Sequence, residues 1–179
     1  MRSLKTEGIV IKRRNFGEAD RILTIFSKNF GKISVKATGV RKIISRRSGH
    51  IELLNRCTFS LYKGRGMAVL TEVENIENFS EIKDDLTKVG FSYHICELID
   101  GLCAEEQEHE DVYELLKNTL NRLESNEDLV SVIHEFEIEL LTRLGFYKAP
   151  IRKDFDTSAF IEQLLERKLK SKRLLKRFT

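Results

Sequence analysis

The first eighty residues alternate between apolar and polar positions, and the next hundred do not. Short runs at Thr6–Arg13, Arg21–Ser27, Gly31–Ala37, Glu52–Tyr62 and Met67–Ile76 are rich in β-branched and aromatic residues, and glycine-bearing turns break them up. A period of two sends neighbouring side chains to opposite faces, so each run predicts a strand. Phe16-Gly17-Glu18-Ala19-Asp20 links the first two, and Asn29-Phe30-Gly31 forms a tight second turn. Lys63-Gly64-Arg65-Gly66 joins the last two, where glycine can supply the positive φ of a hairpin. Five short strands in so brief a stretch predict a small closed barrel, because closure removes exposed edges. The oligonucleotide-binding (OB) barrel is the common five-stranded solution, and an SH3-like barrel satisfies the same pattern.

From Ser80 the period lengthens. Leu86, Val89, Tyr93, Cys96, Ile99 and Cys103 step by three and four, while Phe91, Ile95, Leu98 and Leu102 mark a second face. A helix apolar on two faces is a buried one. Leu115, Leu116, Leu120 and Leu123 predict a second helix. Leu129, Ile133, Phe136, Leu140 and Leu144 predict a third, opened by Ser125-Asn126 and ended by Gly145. Pro150, the only proline, marks a break, and a last helix is predicted from about Ser158 to Phe178. The fold class is therefore α+β: an all-β barrel over residues 1–79, then an all-α domain over 80–179. No repeat or low-complexity linker separates them, so direct packing is expected.

Charge sharpens the picture. The chain of 179 residues has a formal net charge of only +3. Residues 1–80 nevertheless hold 16 basic and 7 acidic side chains, 81–140 hold 4 and 17, and 141–179 hold 11 and 4. Such blocks bear on partners rather than on fold. Between Arg21 and Ile51 lie eight cations and no carboxylate. The glycine-bounded stretch Gly39–Gly49 contributes Arg41, Lys42, Arg46 and Arg47. Together with Arg13, Arg14, Lys32, Lys36 and Arg65, these are the candidate phosphate contacts, because nucleic-acid affinity begins with phosphate neutralisation. Phe16, Phe26, Phe30, Phe59 and Tyr62 interleave with them; some must be core, and any that are exposed offer stacking surfaces.

Other chemistry finds little support. His134-Glu135 opens like a zinc protease's H-E-x-x-H, but the second histidine's position holds Ile138. No phosphate-cradling G-x-x-x-x-G-K-[ST] occurs, and neither metal nor cofactor is expected. Glu105-Glu106-Gln107-Glu108-His109-Glu110-Asp111 reads as a mobile acidic loop between helices. Cys57, Cys96 and Cys103 read as buried free thiols, since a seven-residue helical spacing separates the last two by about 10 Å. No apolar run approaches the roughly 20 residues of a membrane span, and no signal-peptide block is seen at the N-terminus, so a cytoplasmic, nucleoid-associated location is expected. The cationic run Arg167 to Arg173 either complements a helix C-terminus or extends a nucleic-acid surface. A membrane-surface role is weaker, because the apolar stripe thins after Leu169.

Gly8-Ile9-Val10-Ile11-Lys12-Arg13-Arg14 followed by Gly17-Glu18-Ala19-Asp20-Arg21 resembles the opening of the RecO family of bacterial recombination mediators. Gly31-Lys32-Ile33, Gly39-Val40-Arg41-Lys42, Leu61 to Gly66, Phe136 to Phe146 and Leu169 to Arg173 resemble later parts of the same family. The resemblance implies an OB barrel and a helical domain, binding of single- and double-stranded DNA, and strand annealing. It also implies a RecR-like partner, contact with the acidic tail of single-stranded-DNA-binding protein, and indirect assistance to RecA. Many members carry a four-cysteine zinc element after the helix matching Phe136–Leu144; this chain has no cysteine beyond Cys103, and Tyr147 to Thr157 is short. Arg143, Phe146, Tyr147 and Lys148 pair cations with apolar rings, and so are candidates for an acidic, apolar-ended tail. A protein-interaction adaptor built on the acidic helical block, and an RNA-binding barrel, are the rival readings.

Overall fold

The computed structural model describes residues 2–43, 45–125, 127–148 and 155–177. Five strands, β1 (Arg2–Phe16), β2 (Asp20–Ser27), β3 (Gly31–Ala37), β4 (Arg56–Lys63) and β5 (Ala68–Glu77), close into a barrel in the order β1-β2-β3-β5-β4. Only the β3–β5 joint is parallel. That order and that joint give the OB topology, which decides between the two barrels left open by the pattern.

β1 serves two partners. Residues Arg2 to Ile9 face β4, and Gly8 to Phe16 face β2, with a bulge between Val10 and Lys12. Bulges bend a strand and re-aim it, and here the bend lets one strand close both sides of the barrel. At the bulge the backbone of Val10 turns to the long connection 38–55, donating to Asn55 O at 3.1 Å and accepting from Leu54 N at 2.8 Å. The Asn55 side chain donates to Gly49 O and His50 O. Leu54 has φ 70°. These local bonds compete with strand pairing, so β4 begins at Arg56 and not at Glu52.

The barrel interior is built from Val10, Leu23, Ile25, Ile33, Val35, Cys57, Phe59, Leu61 and Leu70, joined by Val40 and Ile51 of the long connection. Both anchors are fully buried. Burying apolar surface at about 25 cal/mol per Å² therefore fixes the connection at its two ends and leaves Arg41, Lys42, Ile43 and Arg46 exposed between them. The β4–β5 turn does not use left-handed glycine: among the described residues the positive-φ glycines are Gly17, Gly31, Gly39 and Gly145.

The chain divides into two compact units, Met1–Asn78 with Cys103–Glu110, and Phe79–Leu102 with Asp111–Thr179. The expected mobile acidic loop is instead part of the barrel unit. β5 pairs with β3 only at Val35 and Lys36, leaving the edge of Gly31 to Ser34 open. Residue Glu105 forms a parallel bridge with Lys32 there, and Glu106 N donates to Lys32 O at 2.8 Å. An unpaired strand edge carries backbone groups that need partners, and the acidic strap supplies them. Gly31 sits at φ +63°, and a Cβ there would lie 1.7 Å from Gln107 O.

The second unit holds α1 (Ser80–Asp84), α2 (Leu86–Leu102), α3 (Glu110–Glu124), α4 (Leu129–Arg143), α5 (Thr157–Leu165) and α6 (Lys172–Leu175). α2 packs against α1, α4 and α6, as its two apolar faces require. α4 is capped by Asp128, whose side chain accepts from Ser131 N; of the expected cap pair, Ser125 lies outside the helix and Asn126 lies outside the described residues. Gly145, at φ +77°, follows the C-cap Leu144. The single long terminal helix expected from Ser158 is broken. α5 stops at Glu166 in left-handed conformation, and its carboxylate neighbour Glu162 accepts from Leu169 N at 3.0 Å. Leu169 turns inward, 3% exposed, and the chain restarts as α6. Pro150 lies outside the described residues.

Candidate nucleic-acid interface

Seven of the nine candidate cations gather around the mouth of the barrel formed by the β1–β2 turn and the 38–55 connection. Backbone bonds bring the two loops together: Arg41 N donates to Ala19 O at 2.9 Å, and Gly39 N to Asp20 Oδ1 at 2.8 Å. Arg41 Nη1 reaches Gly17 O at 3.1 Å. Lys36 pairs with Asp20 at 3.1 Å, and its Nζ lies 5.2 Å from the centroid of the half-exposed Phe16 ring. The Gly39 N–H first, and Lys36 second, hold Asp20 below the usual carboxylate range. Asp20 thus stays ionised and pins the base of the loop.

An arginine ties the rest of the loop to the barrel, beside the Asn55 bonds to Gly49 and His50. Arg47 donates to Thr38 O at 2.9 Å and to Leu70 O at 3.2 Å, so its guanidinium staples the loop to the barrel. Arg13 is paired with Glu52 at 2.5 Å, and Glu52 also lies 3.6 Å from Arg21. Arg14, Arg41, Lys42 and Arg46 are exposed and, among the described residues, none forms an ion pair, although Lys42 adds to the positive field on Asp20. Lys42, Arg46 and Arg47 line a shallow depression of about 470 Å³ with Thr38, Gly39 and Ser45. Ile43, between Lys42 and the outer loop, is fully exposed.

The other two candidates lie elsewhere. Arg65 is exposed on the β4–β5 turn, near the start of β1, where Arg2 faces Lys63. Lys32 is 8% exposed, and its backbone holds the acidic strap; it is not part of an open face. The flanking aromatics divide as alternation requires: Phe26 and Phe59 are fully buried, whereas Phe16 and Tyr62 are 44% and 38% exposed.

In the second unit, Arg143 pairs with Glu139 at 3.1 Å, and its Nη1 donates to Asp111 O. Tyr147 packs on Phe155 and Phe160, at 4.7 and 6.2 Å between centroids. That leaves Phe146 and Lys148 exposed. The cations of 167–173 are largely engaged: Arg167 with Glu97 at 2.6 Å, and Lys168 and Lys172 with Glu162 at 3.1 and 3.5 Å.

Sequence reasoning missed a buried polar network in this unit. His94 Nδ1 lies 2.8 Å from Ser171 Oγ, and Nε2 lies 2.6 Å from Glu137 Oε1; Thr157 Oγ1 donates to Glu137 Oε2. Although serine, histidine and glutamate follow one another as in a hydrolase, Ser171 Oγ is spent on Glu97 at 2.7 Å and is 4% exposed. The network ties α2 to α4 and to the terminal segment. The signal was a histidine within α2's apolar faces, whose neighbours Phe91, Ile95 and Leu98 are all buried. No cluster of three or more His, Cys, Asp or Glu able to hold a metal occurs among the described residues. No described helix is long and apolar enough to cross a membrane.

Topology and surface together define an OB-barrel protein with a cationic loop and a helical second unit. The comparisons make the class specific. Residues 1–79 match the family model for the N-terminal part of recombination protein O, and residues 83–148 match that for its C-terminal part. The chain is 38% identical over 147 residues to the DNA repair protein RecO of Acetivibrio thermocellus, covering 82% of this chain and 59% of that protein. It is 35% identical to RecO of Roseiflexus sp. and 35% identical to RecO of Caldicellulosiruptor bescii, covering 81% and 82% of this chain and 51% and 60% of theirs. The chain belongs to the RecO family of DNA repair proteins, and it spans between about half and three-fifths of the length of these relatives.

Proposed function

We propose that this chain is a non-enzymatic recombination mediator that binds single- and double-stranded DNA and anneals complementary strands. The reading rests on Arg14, Arg41, Lys42 and Arg46, exposed together at one mouth of an OB barrel and, among the described residues, in no ion pair. Phosphates supply the charge these side chains lack, and the half-exposed Phe16 ring offers a base a stacking surface. Annealing follows physically when one cationic surface screens the repulsion of two strands. Arg13, Lys36 and Arg47 act as supports whose charge adds to the local field, and Arg65 contacts DNA only where a strand continues to the β4–β5 turn. Recombinase loading through RecA, and partnership with a RecR-like protein, belong to the same proposal.

The test is fluorescence anisotropy with a labelled single strand over a range of salt, alongside a strand-annealing assay. With about five phosphate contacts, log K falls against log[salt] with a slope near −3 to −4. Arg41→Glu/Lys42→Glu/Arg46→Glu reverses three of the contacts and abolishes both binding and annealing. Salt-independent affinity, or unchanged annealing in the triple variant, defeats the proposal; equal or tighter binding of a matched RNA strand transfers it to RNA.

For the acidic tail of single-stranded-DNA-binding protein, we propose Phe146 and Lys148 as the contacts, with Arg143 released from Glu139 and Tyr147 bracing the aromatic cluster. A labelled tail peptide should bind the chain and lose affinity in Phe146→Ala/Lys148→Ala; equal affinities remove the assignment.

A further inference from the structure

The barrel has a second opening that the cationic loop does not reach. Beside the edge of β3 that β5 leaves unpaired lies a cleft of about 660 Å³, with Leu4, Phe30, Ile33, Leu61 and Met67 among its apolar lining. Its size falls within the range of about 300–1,000 Å³ typical of small-ligand pockets, ample for a nucleobase. The strap contributes Glu105, Glu106 and Glu108 to the cleft's lining beside Lys63, and two lysines are answered by strap carboxylates: Lys63 by Glu106 and, outside the lining, Lys28 by Glu110 at 3.3 Å. Glu105 accepts from Ser34 Oγ at 3.4 Å. Arg2, Lys5 and Arg65 are exposed nearby on β1 and the β4–β5 turn.

The strap holds on in two different ways. Its backbone is fixed, by the Glu106 N–H to Lys32 O and by the close fit of Gln107 on Gly31. Its carboxylates are exposed, and exposed ion pairs contribute little and exchange readily. An incoming phosphate can therefore replace Glu106 and Glu110 without dislodging the strap.

We propose that the strap is an intramolecular competitor for nucleic acid: its carboxylates occupy, in cis, Lys63 in the lining of a cleft and Lys28 at the strap's far end, where a second single strand binds. The inference rests on the DNA-binding reading and deepens it, since annealing needs two strands on one protein. The first strand lies along the open cationic loop; the second must displace carboxylates from Lys28 and Lys63, and a base then enters the apolar cleft. The gate favours a second strand only once the first has raised its local concentration.

The test uses the full chain and a labelled oligonucleotide. Glu106→Gln/Glu110→Gln should bind the single strand about fivefold or more tightly at low salt. Two added phosphate contacts at roughly 0.7 each should steepen the salt slope by about 1.4. Adding Lys28→Ala/Lys63→Ala should return both to wild type, while Glu72→Gln/Glu74→Gln, an equal change of charge on β5, should reproduce neither effect. A dye at Glu108→Cys should report strand binding in the otherwise native chain. No gain in affinity, an equal gain in the β5 control, or a silent dye each overturns the gate. So does binding of a lysine- and leucine-containing peptide that the glutamine variant weakens, which assigns the cleft to a cationic peptide. If the wild-type chain binds no oligonucleotide, the DNA reading itself fails; if it binds and the strap variant is unchanged, only the gate does.

Discussion

Glu97 offers a measure of how firmly the terminal segment is held. Its carboxylate, on α2, collects Arg167 Nη1 at 2.6 Å, Lys170 N at 3.0 Å, Ser171 N at 2.9 Å and Ser171 Oγ at 2.7 Å. Desolvation works against the charge, but the hydrogen bonds from Ser171, from the two backbone N–H groups and from Arg167 outweigh it. They hold the carboxyl at about 2, below its ordinary 4.5. At about 1.36 kcal/mol per pH unit, that interval sets a ceiling of about 3.4 kcal/mol. The Arg167 side is partly open to solvent, and screening reduces the figure to about 2 kcal/mol. Because the folded value is depressed, the contribution is complete above the unfolded value and is lost as pH falls from 4.5 towards 2.

Glu97→Gln preserves shape and removes the charge. Urea denaturation followed by helical circular dichroism should show a loss of about 2 kcal/mol at pH 7. More than half of the gap between wild type and variant should have closed by pH 3, and nearly all of it below pH 2. Faster amide exchange at Lys170 and Ser171 should accompany it. A gap that stays constant from pH 7 to pH 3 would show that packing, not charge, is being measured, and would refute the reasoning.

Two further expectations concern the barrel and the thiols. Gly31→Ala meets both a left-handed backbone and the Gln107 carbonyl, whereas Gly17→Ala meets only the backbone, with open space beyond. Left-handed strain of about 1–3 kcal/mol is common to both, and overpacking against Gln107 adds about 1–3 kcal/mol at Gly31 alone, so Gly31→Ala should exceed Gly17→Ala by about 2 kcal/mol in urea melts; equal losses would mean that the strap yields. Cys57, Cys96 and Cys103 are buried thiols outside any disulfide, and burial first, with Asp100 second, pushes the Cys96 thiol up to about 12. A colorimetric disulfide reagent at pH 8 should therefore find no fast thiol in the native chain and three in the denatured one; a fast native thiol would contradict this burial.

The barrel was legible because its signals were local. Alternation at Leu23, Ile25, Ile33 and Val35 and the turn glycines act within a few residues of one another, and β3 fell where its pattern put it, Gly31–Ala37. The errors came where distant chain intervened. Of the four residues expected to begin a strand, Leu54 and Asn55 instead bond across the β1 bulge, through a partner at Val10 that no local pattern names. The terminal helix breaks because Glu97 and Glu162 capture the backbone N–H groups of Lys170, Ser171 and Leu169; Glu97 lies far outside the window in which helical periodicity is read, and periodicity does not register the bond to Glu162. The candidate cations were found by sign alone. Which of them stay unpaired depends on Glu52 and Asp20, and neither pairing follows from spacing.

The strap also changes the charge on which the functional reading stands. Summed along the sequence, the barrel region carries +9 and the following block −13. The fold transfers Glu105, Glu106, Glu108 and Glu110 to the barrel unit, which lowers its net charge from +9 to +5. Long-range attraction of a polyanion depends on that total, but contact depends on where unpaired charge remains. Around the 38–55 loop the exposed Arg41, Lys42 and Arg46 keep theirs; Lys63 at the cleft and Lys28 at the strap's far end do not. A barrel with one open cationic mouth and one neutralised in cis would engage two strands in order rather than at once. That asymmetry separates an annealing surface from a merely basic one, and the glutamine substitutions in the strap should erase it while leaving the loop untouched.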